Sequence, residues 1–287
     1  MTSHPRRATH WRLRTTTVRF GQLPAIMGIV NVTPDSFSDG GRLDGADAAV
    51  AHALKLIAEG AAIIDIGGES TRPHALPVSE AEELERALPV VAGLASCTDV
   101  PISIDTSKAA VAKAALDAGA EIINDVTGFA GDPAMVDVAL ESGAGLCVMH
   151  MAGTPRTMQD DPAYVDVVAD ISHYLGERRA ALIEAGVAAD RICVDPGIGF
   201  GKTVSHNIEL LRAAERFHAL GAPVLFGHSR KSFLGTVLQD IHLERDHATA
   251  GVATALARRG VQVLRVHDVA ATTRALAAFA AAGGLDD

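Results

Sequence analysis

Aromatic residues are scarce in this chain: one tryptophan, two tyrosines and eight phenylalanines make up 4% of its 287 positions. A core without many large rings must be filled by Ala, Val, Ile and Leu, which suits the interior of a closed parallel sheet. Cysteine is rarer still. Cys97, Cys147 and Cys193 lie far apart, and the latter two fall inside apolar runs, so they read as small core residues in a reducing compartment, the cytoplasm. No apolar run approaches the ~18 residues of a membrane helix. Positive charge is in deficit, 25 Lys plus Arg against 35 Asp plus Glu for a formal −10. No overall basic field draws in nucleic acid, and an anionic ligand would need a local pocket. The histidines show no HExxH or other zinc spacing, which argues against a permanent protein-only zinc site. His52, His173, His206, His218, His242 and His247 fall on helices or connections and read as solvated.

What the chain has instead is repetition. Eight short apolar runs, Ala25–Asn31, Ala61–Asp65, Val100–Asp105, Glu121–Asp125, Gly145–His150, Arg191–Asp195, Pro223–His228 and Val261–His267, mostly end on a polar or ionisable residue. Helical pattern separates them. Buried strand alternating with covering helix predicts a parallel sheet, and eight such units close into a single-domain (β/α)8 TIM barrel over residues 25–287. Residues 1–24, with Arg6, Arg7, Arg12, Arg14 and Arg19 and no acid, read as a tail with a strand or hairpin under the barrel rather than as a transit segment. After Asn31 and after Ile66 come long Gly-, Pro- and Ser-bearing loops, expected to cover the mouth. Ser79 is expected to cap the helix behind the second loop, and Thr106 or Ser107 the helix after the third strand.

In a barrel of this kind the strand ends meet at one mouth. Asp105, Asn124 and Asp195 end strongly apolar strands, where an acid or amide costs several kcal/mol unless paired or hydrogen-bonded. Together they suit a planar heterocycle with adjacent ring N–H and amino donors. Each acid alone is as well explained by capping or by pairing with Lys or Arg. Basic residues gather near the last strands: Arg230, Lys231, Arg265 and His267. Strand alternation puts Arg265 and His267 on one side, aimed into the mouth as an anion site. Helix capping accounts for His267 nearly as well. GFGKT at 199–203 lacks the spacing of a phosphate-binding loop, and Lys202 and Thr203 read as a turn opening a helix. Phe200, an aromatic in that glycine-rich loop, reads as an exposed wall for a flat ligand.

The fragments IMGIVNVTPDSFSDGG, IIDIGGESTRP, SIDTSK, NDVTG, CVMHMAGTP, DPGIGFGKT, GHSRKSFLG and RVHDV, in this order between Ile26 and Val269, resemble the dihydropteroate synthase family. The resemblance implies a barrel transferase of folate biosynthesis, usually a homodimer. Such an enzyme joins p-aminobenzoate to hydroxymethyl-dihydropterin pyrophosphate, releases pyrophosphate and is a target of sulfonamides. Carried onto this sequence, it puts the pterin against Asp105, Asn124, Met149, Asp195, Lys231 and Arg265. Pyrophosphate falls to Asn31, Thr71, Arg265 and His267, with Mg2+ held by Asn31 and the pyrophosphate oxygens. The arylamine falls to Thr71, Arg72, Pro73, Phe200, Lys231 and Ser232, under a closing loop bearing Asp35, Phe37, Ser38 and Asp39. Asp35, Asp105, Asp195, Lys231, Arg265 and His267 carry the chemistry in this reading. His74 and His228 depart from the family pattern. A corrinoid-dependent methyltransferase with the same pterin wall and a catalytically silent pterin binder are the rival readings; the FSDGG, STRP and SRK segments speak against the first.

Overall fold

The computed structural model describes residues 7–33, 42–72, 75–240 and 244–286. Two short strands, β1 (His10–Arg12) and β2 (Thr17–Arg19), pair antiparallel ahead of the barrel. Its wall follows as β3 (Ala25–Asn31), β4 (Ile63–Gly67), β5 (Ile102–Asp105), β6 (Ile122–Asp125), β7 (Gly145–Met149), β8 (Ile192–Asp195), β9 (Leu225–Phe226) and β10 (Val263–Val266). The order around the sheet is β8-β7-β6-β5-β4-β3-β10-β9, and every pairing is parallel. A single bridge between Val194 and Val224 nearly closes the ring. There the carbonyl of Pro223 accepts the Val194 amide at 2.9 Å; proline has no N–H to continue a ladder, so β9 stays at two residues.

Between strands lie α1 (Arg42–Ala58), α2 (Glu80–Ala95), α3 (Ala109–Asp117), α4 (Met135–Ser142), α5 (Val167–Glu184), α6 (Val204–Arg212), α7 (Ser232–Val237), α8 (Asp246–Arg258) and α9 (Val269–Ala281). Ser79 caps α2 as expected, in a reciprocal pair with Glu82. The cap of α3 is a correction. Neither Thr106 nor Ser107 fills it; Asp132, from the next βα connection, accepts the Ala109 amide at 2.8 Å. β4 also differs, running two residues past Asp65, because Ile66 and the side-chain-free Gly67 continue the pairing with Val30 and Asn31.

Inward-facing Met27, Ile63, Ile122, Cys147, Cys193, Leu225 and Val263 form an apolar floor, closed from below by Trp11 and Leu13. The hairpin is tied to the strand starts: Trp11 Nε1 donates to the Arg191 carbonyl at 2.8 Å, and Arg12 grips Asp190 through two N–H groups. Cys147 and Cys193 are buried, as their positions in apolar runs imply, whereas Cys97 is exposed. Packing below and polar strand ends above divide the molecule into a stabilising end and a reactive end.

Candidate active site

The upper ends of β4, β5, β6, β8 and β10 bring five polar side chains together. Arg265 donates from Nε to Asp65 at 2.6 Å and from Nη2 to Asp105 at 2.7 Å. Asp65 also accepts Asn124 Nδ2 at 3.2 Å. Asp195 stands on the same cluster, since a Cβ placed on Gly227 would lie 3.8 Å from its Oδ2 and 3.9 Å from Arg265 Cβ. Register pairing puts Asp105 beside Asn124 and Met149 beside Asp195. The expected pterin wall is therefore one contiguous surface. Its central member was missed: Asp65, fully buried, holds both Arg265 and Asn124. The available signal was an acid closing an apolar run, one that Asp65 shares with Asp105 and Asp195.

Two carboxylates divide one guanidinium, so Asp105 does not have it to itself. Burial pushes the Asp105 carboxyl up to about 7, with Arg265 opposing and Asp65 reinforcing the shift. Burial likewise raises Asp195 to about 6, against the Gly197 N–H bonded to Oδ1 at 2.8 Å and the Lys231 ammonium. Lys231 is lowered to about 8 by burial and by Arg265. The site is thus a strip of carboxylates poised to accept N–H donors, next to two cations.

On the leaving-group side the structure amends the expectation. His267 accompanies Arg265 but is no cation: burial and the neighbouring Arg265 hold its imidazole down at about 3, and Nδ1 meets Ser229 Oγ at 3.0 Å. Arg230 is committed elsewhere, clamped to Asp246 by two bonds of 2.7 Å. Asn31 ends β3 opposite Gly67, where a Cβ would stand 3.8 Å from Asn31 Oδ1. That missing side chain keeps space beside an amide oxygen. Among the described residues no cluster of three or more His, Cys, Asp or Glu could hold a metal.

A cavity of about 880 Å³ adjoins the polar cluster, lined by Thr71, Arg72, Gly199, Lys202, Lys231 and Ser232 among others. Asp105, Asn124 and Asp195 lie outside it, within the barrel mouth. Lys231 N-caps α7 and Ser232 begins it. Phe200 is not the exposed wall the sequence implied; it is 8% exposed and packs with Val126, Met149 and Met158, with Lys231 Nζ 4.0 Å from its ring centre. Asp35, Phe37, Ser38, Asp39, Pro73, His74 and His242 lie outside the described residues.

Loop two is rooted by residues no sequence argument singled out. Lys108 Nζ bridges Glu69 at 2.6 Å and the fully buried Glu83 at 2.5 Å, fixing the chain just ahead of Thr71. His218, expected in solvent, is buried with Nε2 on the Arg259 carbonyl at 3.0 Å. His228 is fully buried, bonded through Nε2 to the Thr249 carbonyl, and burial lowers it to about 4. Its folded value lies below the unfolded one near 6.5, so the stability of the neutral ring is full above that pH and is lost as pH falls towards 4. Relative to His228→Gln, the native chain is expected to lose about 2 kcal/mol between pH 7 and pH 5 in urea denaturation; equal pH slopes for the two would refute this.

Comparisons with known proteins bear on the family and the fold. The family model described as pterin binding enzyme matches residues 27–267. The chain is 46% identical over 253 residues to the dihydropteroate synthase of Escherichia coli (strain K12), covering 88% of this chain and 89% of that protein. It is similar to the Yersinia pestis dihydropteroate synthase solved with a sulfonamide drug complex, with a TM-score of 0.88 and 42% identity over 96% of this chain and 99% of the other. It is also similar to the Burkholderia cenocepacia dihydropteroate synthase complexed with 7,8-dihydropteroate, with a TM-score of 0.85 and 44% identity over 96% and 97% of the two chains.

Proposed function

The chain belongs to the dihydropteroate synthase family of pterin-binding enzymes, transferases that join p-aminobenzoate to hydroxymethyl-dihydropterin pyrophosphate, and we propose how its own residues divide that work. The observation carrying the proposal is the Asp65–Arg265–Asp105 chain, with Asn124 and Asp195 beside it on one ring of strand ends. Asp105 and Asp195 accept the N–H donors of the pterin, and Asn124 both donates and accepts. Met149 and Arg265 bound the ring. As the C–O bond to pyrophosphate breaks, positive charge develops on the pterin methylene, and the carboxylate strip faces it with charge already oriented. Asn31, Thr71, Arg265 and a neutral His267 receive the pyrophosphate; Lys231 lies between that side and the arylamine.

The arylamine takes the adjoining cavity, its ring towards Phe200 and its polar end among Thr71, Arg72, Pro73, Lys231 and Ser232. Its nitrogen forms the new C–N bond and gives up a proton, which Asp35 on the first loop accepts. Sulfonamides compete for this cavity. The residues fit a Mg2+ ion that arrives with the pyrophosphate: one amide oxygen, Asn31 Oδ1, beside an open glycine suits a hard cation that keeps several waters and few protein ligands. Bound there, Mg2+ would neutralise charge on the departing pyrophosphate. We further propose a cytoplasmic homodimer, with exposed Val237 and Leu238 at the end of α7 offering apolar area for a second subunit. No described helix is long and apolar enough to cross a membrane.

Purified protein with Mg2+ and both substrates is expected to release one pyrophosphate per dihydropteroate formed, with turnover stopped by a chelator and slowed competitively by sulfonamide. Pterin binding with no release would support a silent binder, and methyl transfer to a corrinoid protein the rival enzyme. A second expectation follows from the raised carboxyls. N–H donors favour the charged carboxylates, so binding pterin near pH 6.5 expels protons, and affinity falls as pH drops below about 7 and then about 6. Calorimetry in two buffers of different ionisation enthalpy reads this directly; affinity independent of pH, with no proton release, would remove the charged wall from the account.

A further inference from the structure

Lys202 is a costly buried cation that the mechanism above does not use. It is 3% exposed, and its ammonium contacts three acceptors: Phe200 O at 2.8 Å, His150 Nδ1 at 3.0 Å and His150 O at 3.4 Å. None is a carboxylate. Burying an ammonium without an anionic partner is unfavourable by several kcal/mol, so the placement must stabilise something that the loop alone does not. Burial indeed lowers Lys202 to about 7, with Asp195 opposing the shift.

The geometry around it is specific. His150 is itself buried and neutral, lowered to about 3 by burial and by Lys202. While Lys202 is protonated it only donates, so Nδ1 then accepts and Nε2 carries the ring proton. Both tyrosines of the chain lie against this histidine, Tyr174 edge-on at 4.9 Å and Tyr164 tilted at 6.0 Å between ring centres. Three ammonium protons meet three acceptors. A neutral or shorter polar side chain would leave at least one of them unpaired in the interior.

What these contacts hold is the loop between β8 and α6. Gly197, Gly199 and Gly201 all have positive φ, so the loop has little stiffness of its own. It lies backbone to backbone on the segment after β7: a Cβ on Gly197 would sit 2.0 Å from His150 O, and one on Gly201 2.6 Å from Ala152 Cβ. Gln159 Nε2 donates to Gly199 O at 2.7 Å and Tyr164 OH to Gly201 O at 2.8 Å. Lys202 adds a bond to the carbonyl of Phe200, whose ring carries the Lys231 ammonium.

We infer that Lys202 is a positioning residue for the arylamine: by pinning the Phe200 carbonyl to His150, it fixes the ring and the Lys231 ammonium against which the arylamine packs. The inference rests on the arylamine site proposed above. It assigns Lys202 to substrate affinity, not to bond breaking. Lys202 also borders the cavity, so a direct ion pair with the arylamine's carboxylate is the competing role.

The test is Lys202→Met in the full chain. Losing one charge-assisted hydrogen bond at the loop is expected to raise the KM for p-aminobenzoate about tenfold. The expected kcat falls by less than about threefold, and pterin affinity by calorimetry changes by less than about twofold. Uncharged sulfanilamide separates the two roles: under positioning its Ki rises by the same factor as KM, whereas an ion pair would leave it unchanged and overturn the inference. An unchanged KM, or a loss in kcat alone, would overturn it too. Hydrogen exchange gives a readout without turnover. In Lys202→Met the amides of 199–203 exchange faster while those of β8 do not; if 199–203 stay as protected as in the native chain, the inference fails even where turnover is absent in both. Should Lys202→Met not fold, Tyr164→Phe removes only the Gly201 bond and is expected to raise KM and the sulfanilamide Ki together by about threefold; no rise in either would overturn the inference.

Discussion

Asp65→Ala is expected to lower stability by about 3–5 kcal/mol and to reduce turnover by at least about a thousandfold. The side chain is fully buried and accepts both Arg265 Nε at 2.6 Å and Asn124 Nδ2 at 3.2 Å. Removing it leaves a guanidinium in the barrel with one carboxylate instead of two and frees the Asn124 amide proposed to meet the pterin. Breaking one partner of a buried ion pair is far more damaging than the net worth of the pair, because the remaining charge stays desolvated. Asp65→Asn keeps the volume and an acceptor oxygen, so it should recover stability before it recovers turnover. Urea denaturation and steady-state kinetics on both variants check this. Stability within about 1 kcal/mol of native in the alanine variant, with turnover intact, would show that Arg265 is held by Asp105 alone.

Trp11→Ala acts at the opposite end. It should also destabilise by about 3–5 kcal/mol, the range for truncating a buried large aromatic. It should nevertheless leave the KM for both substrates unchanged within about twofold wherever the chain is folded, since the reactive face of a barrel is built from the other end of its strands. Trp11 is fully buried against the floor formed by Met27, Ile63 and Cys193 and donates to the Arg191 carbonyl. No other tryptophan exists to take its place. Denaturation midpoints and kinetics below the transition distinguish the outcomes; a variant as stable as the native chain, or one whose KM values shift with its stability, would mean that floor and mouth are not separable.

Much of the site was legible because the polar residue closing an apolar strand stands out locally. Asp105, Asn124 and Asp195 were found in this way and Arg265 by strand alternation among the basic residues of the last strands, and the structure sets them side by side. Asp65 closes the second apolar run just as Asp105 and Asp195 close theirs, yet it was not carried into the site, because nothing local shows that Arg265 and Asn124 converge on it. Phe200 was read as exposed because nothing in GIGFGKT reveals that Met149 and Met158, from other segments, cover it. His267 and Arg230 were read among the basic residues gathered near the last strands; the first is kept neutral by burial and by Arg265, the second is taken by Asp246. Lys202 was read as a turn residue, and only the approach of His150, 52 positions earlier in the chain, gives its ammonium a purpose.

Local order therefore determined the number of strands, the side of each that faces inward, the capping of α2 and the family resemblance, since alternation, apolar runs and cap residues act over a few positions. Tertiary structure alone decided which charge meets which. Asp65 and Arg265, 200 positions apart, are joined because β4 and β10 flank β3 in the ring. The pairing partners of a buried charge are set by strand order and by desolvation, and neither is a property of any short stretch of sequence.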